Sequence, residues 1–147
     1  MTAKIVSINI SDKKGVRKKA VQSAALKENY GIEHDAHASE TWHRQISLLA
    51  LESIKKMQAK GLKVGPGDFA ENFTTEGIDL VSLPIGTRFT VGKDIEVEVS
   101  QIGKVCHNRC AIYYQAGDCV MPKEGIFVKV LKSGKVKKGD KIKIIDT

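Results

Sequence analysis

With 147 residues, 41% of them hydrophobic, the chain is long enough to form one domain over residues 1–147 whose core needs no metal or disulfide. Neither 18 consecutive apolar residues nor a signal-like N-terminal segment occurs, so we expect a cytoplasmic protein with no membrane partner. The net charge of +7 is compatible with nucleic-acid binding, but an aromatic content of 5% is too low for a base-stacking surface, and we expect no nucleic-acid partner.

The N-terminal region predicts a strand followed by a basic surface. "KIVSINIS" alternates as a strand does, so its two faces carry different side chains. The predicted faces are Ile5, Ser7 and Asn9 on one side and Val6, Ile8 and Ile10 on the other. A basic cluster follows, and a second lies between Lys129 and Lys143. Because most of these lysines alternate with apolar residues, we expect them on a solvated face. The first cluster contains Lys13, Lys14, Arg17, Lys18 and Lys19.

The rest of the chain predicts one helix and several short strands. Ala50, Ile54 and Met57 recur at helical spacing and Gly61 suits a C-terminal cap, which predicts a helix at about residues 50–60. Strands are predicted at "TRFTV", "IEVEVSQI", "GIFVKVL" and "KIKII", with turns at "GKD" and "KSGKVKKGD". This pattern favours a mainly β fold, a closed or nearly closed barrel with a few short helices, because closure removes exposed sheet edges.

All three cysteines lie in "QIGKVCHNRCAIYYQAGDC", residues 101–119. A zinc site would need all of Cys106, His107, Cys110 and Cys119. If the preceding strand continues, Cys106 and His107 point to opposite faces, and the cysteine spacing does not suit a structural zinc site, so we expect no zinc. A disulfide between Cys106 and Cys110 is sterically allowed but does not suit a reducing compartment. A reactive thiolate at Cys106 and simple burial both remain open.

Four segments of the chain carry a more specific pattern. They are "NYGIEHDAHA" (29–38), "RQISLLA" (44–50), "GDFAENFTTEGIDLVSLPIGTRFTVG" (67–92) and "EVSQIGKVCHNRC" (98–110). Read together, they resemble the MOSC domain, which occurs at the C-terminus of molybdenum cofactor sulfurases and in small standalone bacterial proteins. The resemblance implies a barrel-like, strand-rich fold with a cleft and one functional cysteine, whose position is that of Cys106.

The resemblance also implies a role for the cysteine. Cys106 would carry sulfur as a persulfide, or would ligate molybdenum in the molybdenum cofactor (molybdopterin), and a soft thiolate suits both uses. Cys110 can resolve a persulfide by exchange, whereas Cys119 is expected to be packed. We therefore take Cys106, Cys110 and His37 as catalytic candidates, with Cys106 as the metal ligand.

Further family positions match residue by residue. Asp35 and His37 match the N-terminal signature, where the aspartate would orient the imidazole and the histidine would donate to a pterin or persulfide; the alternative is a capped turn. Arg44 matches the family's arginine before a strand, where it would bind a phosphate or carboxylate through paired donors; the alternative is a pair with a carboxylate such as Asp35. Glu71 and Asn72 match the "EN" of the middle block, where the amide either binds a heterocycle or is a satisfied loop amide.

One departure from the family adds a metal alternative. His34 stands where the family commonly has glycine, so His34 and His37 form a candidate metal pair.

Three functions remain open at this point. In the first, Cys106 carries sulfur or binds the cofactor for a partner, which is a sulfur donor or a protein that makes or uses molybdenum cofactor. In the second, the protein is a molybdenum-dependent reductase of N-hydroxylated substrates with an electron-transfer partner. In the third, it is a non-catalytic, anion-binding β-barrel. The small size favours the first. The pyridoxal-phosphate domain of full sulfurases and a redox domain are not found in the sequence, so we expect a partner to supply sulfur or electrons.

Overall fold

A computed structural model of the protein describes residues 3–12, 18–36, 38–41, 43–69, 71–103 and 124–146. These residues form mainly strands, with one α-helix and a short 3₁₀ helix, Leu80–Ser82. The prediction of a mainly β fold is therefore confirmed. In chain order the elements are β1 (Lys4–Ile10), β2 (Lys19–Val21), β3 (Ser23–Lys27), β4 (Gly31–Ile32), β5 (Ile46–Ala50), α1 (Leu51–Ala59), β6 (Phe73–Glu76), β7 (Arg88–Val91), β8 (Ile95–Ile102), β9 (Ile126–Lys132), β10 (Gly134–Lys137) and β11 (Ile142–Asp146).

The strands form two sheets. The larger has the order β11-β7-β8-β9-β5-β6-β1-β2, and the smaller has the order β10-β3-β4. Strand pairs of the described residues leave both sheets open, so the predicted closure into a barrel is not confirmed. The far end of the larger sheet does contact β1, through a bridge between Lys4 and Lys141 and a hydrogen bond of 2.8 Å from the Ile5 amide to the Asp140 carbonyl.

Strand β1 departs from the strict alternation that the sequence predicts. Its pairing with β6 shifts between Ile5 and Ser7, so Ile5 lies opposite Thr75 while Ile8 lies opposite Phe73. This irregularity puts Ile5 and Ile8 together in the apolar core. The predicted grouping of Ile5 with Ser7 and Asn9 is wrong, because one extra residue in a strand reverses the faces beyond it.

The helix follows its prediction closely. α1 spans Leu51–Ala59, and Gly61 beyond its end has a positive φ of 91° and donates to the Gln58 carbonyl at 3.0 Å. Ile54 and Met57 pack with Leu49 of β5 in a second apolar cluster, whereas the neighbouring Leu48 belongs to the main one. α1 connects β5 to β6, which pair in parallel. Among the described residues, no helix has the length and apolar character needed to cross a membrane.

One predicted turn contains a strand. Residues 134–137 of "KSGKVKKGD" form β10, which pairs with β3. Val136 is fully buried there and belongs to the main apolar cluster, while Lys135 and Lys137 are exposed. The alternation along β10 places Val136 on the core face and the two lysines in solvent, while pairing with β3 completes the strand.

Candidate functional site

Asn72 lies at the centre of a buried polar cluster between β1, β5 and the start of β6. Its Oδ1 accepts hydrogen bonds from the amide and hydroxyl of Ser47 at 2.9 and 3.2 Å, and its Nδ2 donates to the Asn9 carbonyl at 3.1 Å. Its own carbonyl accepts from the Asn9 amide at 2.7 Å. The side chain therefore joins β1 to β5, as a satisfied loop amide does. Its contact with a heterocycle stays a prediction.

Glu71 is a fully buried carboxyl group beside this amide. Its Oε1 accepts from the Gly67 amide at 3.0 Å and its Oε2 from the Thr74 hydroxyl at 2.7 Å. The Thr74 oxygen in turn accepts from Asn9 Nδ2 at 3.2 Å. In the described part of the chain no lysine or arginine pairs with Glu71. Burial raises the pKa of Glu71, and the hydrogen bonds offset only part of that effect.

The raised pKa of Glu71 predicts a pH-dependent effect of Glu71→Gln. At a pH well below 4.5, the usual pKa of the group, Glu71 is protonated in both the folded and the unfolded protein. As the pH rises above this value, the unfolded chain ionises first, so the wild type loses stability until the folded state ionises too. The glutamine variant lacks this loss. We therefore expect its free energy of unfolding, relative to wild type, to increase as the pH is raised from 4 to 8, as measured by urea unfolding.

Glu98→Gln is the matched control. Partial desolvation raises the pKa of Glu98, but hydrogen bonds from Lys129 and Arg88 lower it more. The ionised form of Glu98 therefore stabilises the folded state above pH 4.5 and loses this effect as the pH falls through its folded pKa. We expect Glu98→Gln to lose stability relative to wild type as the pH rises. A flat difference for Glu71→Gln would contradict the prediction.

Asp35 forms a buried ion pair with Lys18. Their side chains are both 0% exposed, and Lys18 Nζ lies 2.8 Å from Asp35 Oδ1. Asp35 Oδ1 also accepts from the Ser11 amide at 3.1 Å, and Lys18 Nζ donates to the Ser11 hydroxyl at 3.0 Å. The Ala36 amide donates to the Ser11 carbonyl at 2.8 Å. The segment that carries the N-terminal signature is thereby attached to the residue that follows β1.

Lys18 also connects Asp35 to Glu71. The Lys18 amide donates to the Gly67 carbonyl at 2.9 Å, and the Gly67 amide is the one that donates to Glu71. Asp35, Glu71 and Asn72, which were predicted separately, therefore meet around the end of β1. Sequence reasoning missed Lys18 because it counted this residue with the solvated lysines. Nothing in the local pattern distinguishes Lys18 from Lys19. The two lysines differ because Lys18 pairs with the buried Asp35 carboxylate.

Arg44 lies in a different part of the site. Its Nε donates to Gln101 Oε1 at 2.8 Å, and His43 Nε2 lies 2.7 Å from the same oxygen. Its guanidinium lies 5.1 Å from the centre of the Phe127 ring. Gln101 Nε2 donates to the Gly103 carbonyl at 2.7 Å. Arg44 is thus held beside the residues at which the chain enters segment 104–123. Within the described part of the chain it contacts Gln101 and Phe127 rather than Asp35.

The cysteines and one histidine of the predicted site lie outside the described residues. These are Cys106, Cys110, Cys119 and His37. Their catalytic and metal-binding roles stay predictions, as does the pairing of His34 with His37. Among the residues that the structure does describe, no three His, Cys, Asp or Glu side chains are grouped as a metal ion would require.

Both ends of segment 104–123 lie at one place. The Gly103 amide donates to the Gly125 carbonyl at 2.7 Å. Next to Gly125, the Glu124 carboxylate accepts from the Ser53 hydroxyl at 2.6 Å and from Lys56 Nζ at 3.1 Å. A cavity of about 330 Å³ opens here. Its lining consists of Ala50, Glu52, Ser53, Lys56, Gly77, Ile78, Asp79, Leu80, Val81 and Glu124.

Comparisons with known proteins identify relatives of the chain. The MOSC domain matches residues 33–143. The structure is similar to that of the YuaD protein from Bacillus subtilis, with a TM-score of 0.82 and 21% identity over 100% of this chain and 97% of that one.

Two YiiM structures are also similar, and at these identities the likeness shows the fold alone. The Geobacillus stearothermophilus protein gives a TM-score of 0.72 and 21% identity, covering 98% of this chain and 75% of its own. The Escherichia coli protein gives 0.71 and 18%, covering 100% and 71%. No curated protein matches the sequence.

Proposed function

Because the chain belongs to the MOSC domain family, we propose that it is a molybdenum-cofactor-linked module. In this proposal Cys106 carries sulfur as a persulfide, or binds the cofactor, on behalf of a partner protein. The partner is a sulfur donor or a protein that makes or uses molybdenum cofactor. A thiolate is the form needed for either use, because it is the nucleophile toward sulfur and the ligand for a metal.

One observation carries the proposal, which is the position of the two ends of segment 104–123. Gly103 and Gly125 are hydrogen-bonded to each other, with Arg44 held close by through Gln101. Cys106 follows Gly103 by three residues, and three residues span at most about 11 Å. The segment that carries the cysteine therefore begins beside the family's arginine, which supports a shared site.

The residues of this neighbourhood suit an anionic cofactor. Arg44 presents a planar cation, and its contact with Phe127 and its bond to Gln101 hold that plane in one orientation. Such a group would hold a phosphate or carboxylate through paired N–H donors. The molybdenum cofactor, when bound, supplies a redox-active metal with a soft ligand position. Asp35, Glu71 and Asn72 would support the adjoining segments from within the protein.

The proposal includes the predicted architecture and location. Residues 1–147 would form one domain, and the larger sheet would close into a barrel where β1 contacts residues 139–142. The Lys4–Lys141 bridge and the hydrogen bond from the Gly139 amide to the Ile5 carbonyl, 2.7 Å, support this closure. A cytoplasmic location would keep the thiol reduced.

The test compares the wild type with Cys106→Ser, both purified from a host that makes molybdenum cofactor. We expect the wild type to contain molybdenum or cyanide-labile sulfur, and the variant to lose at least about tenfold of it, because serine is neither a sulfur carrier nor a soft ligand. Cys119→Ser is the matched control and should retain the content. The measurements are elemental analysis and sulfane-sulfur titration.

Each outcome of that test is informative. Sulfane sulfur without molybdenum would support the persulfide carrier. Molybdenum that depends on Cys106 would support a cofactor site at that thiol and would favour the reductase over the carrier. An absence of both from the wild type would refute the proposal and leave the anion-binding barrel, whereas zinc lost with Cys106 would mean that the cysteine spacing was wrongly interpreted.

The cavity beside Glu124 favours the reductase as a second candidate. A space of about 330 Å³ next to the end of segment 104–123 is large enough for a small substrate. In that function Cys106 would be the metal ligand, and an electron-transfer partner would be required. Molybdenum retained tightly through purification would distinguish it, because a carrier must release its cargo.

A further inference from the structure

Lys18 is a buried cation with no assigned role. Among the described residues it is the one lysine that is buried, and its side chain is 0% exposed. Removing an ammonium group from water is costly, and an aliphatic pair of similar volume would often hold two segments as well. The ion pair is therefore better suited to fixing one arrangement of the segments it joins than to adding stability. Hydrogen bonds to a charge fix direction as well as distance.

The contacts of Lys18 reach both segments of the polar cluster. Through its side chain it binds the Asp35 carboxylate and the Ser11 hydroxyl, at 2.8 and 3.0 Å. Through its main chain it meets Gly67 so closely that a Cβ on that glycine would lie 2.4 Å from the Lys18 carbonyl oxygen. Gly67 in turn donates to Glu71. One residue thus fixes the signature segment of Asp35 and the turn before Glu71 against each other.

We propose that Lys18 is a positioning residue, which keeps the Asp35 segment and the Gly67 turn in one relative arrangement at the family's site. The proposal rests on the proposed function, because the arrangement matters only if these segments surround a bound cargo, which is the persulfide sulfur or the molybdenum cofactor. Lys18 acts through Asp35 and Gly67 and is not assigned any contact with the cargo. Without the ammonium group, Ser11 and Asp35 lose their common donor and the two segments can separate.

The experiment uses three variants of the full chain. Lys18→Met removes the charge and keeps most of the stem. Lys18→Met/Asp35→Asn removes both charges together, so it avoids the unpaired buried carboxylate that can unfold the single variant. Lys4→Met is the matched control, because Lys4 pairs with Glu76 through side chains that are 48% and 29% exposed. Two quantities are measured, the molybdenum and sulfane-sulfur content and the hydrogen exchange of the Ser11 and Ala36 amides.

We expect the double variant to fold but to differ from the wild type in both measurements. Its cargo should fall about 10- to 100-fold, as is typical when a supporting residue of a site is removed. Exchange of the Ser11 and Ala36 amides should become at least about 100-fold faster, because local opening no longer breaks an ion pair. Lys4→Met should match the wild type in both.

A double variant that folds and keeps either wild-type cargo or wild-type exchange would overturn the positioning role. If the wild type carries no cargo at all, the proposed function is refuted independently of the role of Lys18. Hydrogen exchange alone then decides whether Lys18 fixes the two segments. In that case faster exchange would support the fixed arrangement of the two segments, and unchanged exchange would overturn it.

Discussion

Gly67→Ala is expected to destabilise the folded protein by at least about 3 kcal/mol, because strain and a steric clash act together. Gly67 has a φ of +89°, which L side chains rarely adopt. An added Cβ would lie 2.4 Å from the Lys18 carbonyl oxygen and 3.3 Å from Asn9 Cγ. The first neighbour is backbone and cannot rotate away, so the chain must move and the bonds of Gly67 to Lys18 and Glu71 must weaken.

Two other glycines of the chain separate these effects. Gly61 has a positive φ of +91° but open space around the added Cβ, so Gly61→Ala reports strain alone. Gly65 also has open space and lacks the unusual φ, so Gly65→Ala should change stability by less than about 0.5 kcal/mol. Urea unfolding should rank the costs as Gly67, then Gly61, then Gly65. Equal costs for Gly67 and Gly61 would show that the contact with Lys18 relaxes freely.

Asn72→Ala is expected to cost about 2–5 kcal/mol, since it removes the hydrogen bonds of the Asn72 side chain to two buried backbone groups. The Ser47 amide loses its acceptor, 2.9 Å away, and the Asn9 carbonyl loses its donor, 3.1 Å away. Neither group can reach water, because both residues are buried. The loss should be seen as a lower midpoint in urea unfolding.

Gln58→Ala provides the comparison for Asn72. The Gln58 side chain also donates to a backbone carbonyl, that of Val64 at 2.8 Å, but Gln58 is exposed. Water can replace this bond, so we expect a cost below about 1 kcal/mol. A cost for Asn72→Ala as small as that for Gln58→Ala would contradict the view that the amide joins β1 to β5.

Local patterns in the sequence predicted α1 and the strands β1, β7, β8, β9 and β11. Ile54 and Met57 repeat at helical spacing and Gly61 ends the helix, and both signals come from residues that are close together in the sequence. The irregularity near Val6 was not predictable in this way, because it depends on how β1 pairs with the distant strand β6. β10 was missed for a related reason, since lysine-rich residues around one valine are also typical of a turn.

The candidate site was predictable only in part. Asp35, Glu71 and Asn72 were found through family resemblance, and the structure brings them together around the end of β1. Lys18 was missed because its burial is caused by Asp35, seventeen residues away, and by the turn at Gly67. The surroundings of such a residue depend on contacts between distant segments, and the local pattern of a single sequence does not reveal those contacts.

The contact between β1 and the last residues of the chain has a consequence for the order of folding. β1 is made early, but it pairs with β6 and contacts Asp140, which lies just before β11. Pairings between distant residues form slowly, because a long loop must close before they contribute free energy. The larger sheet is therefore expected to complete only when the C-terminal strand is present, and more slowly than a sheet made of neighbouring hairpins.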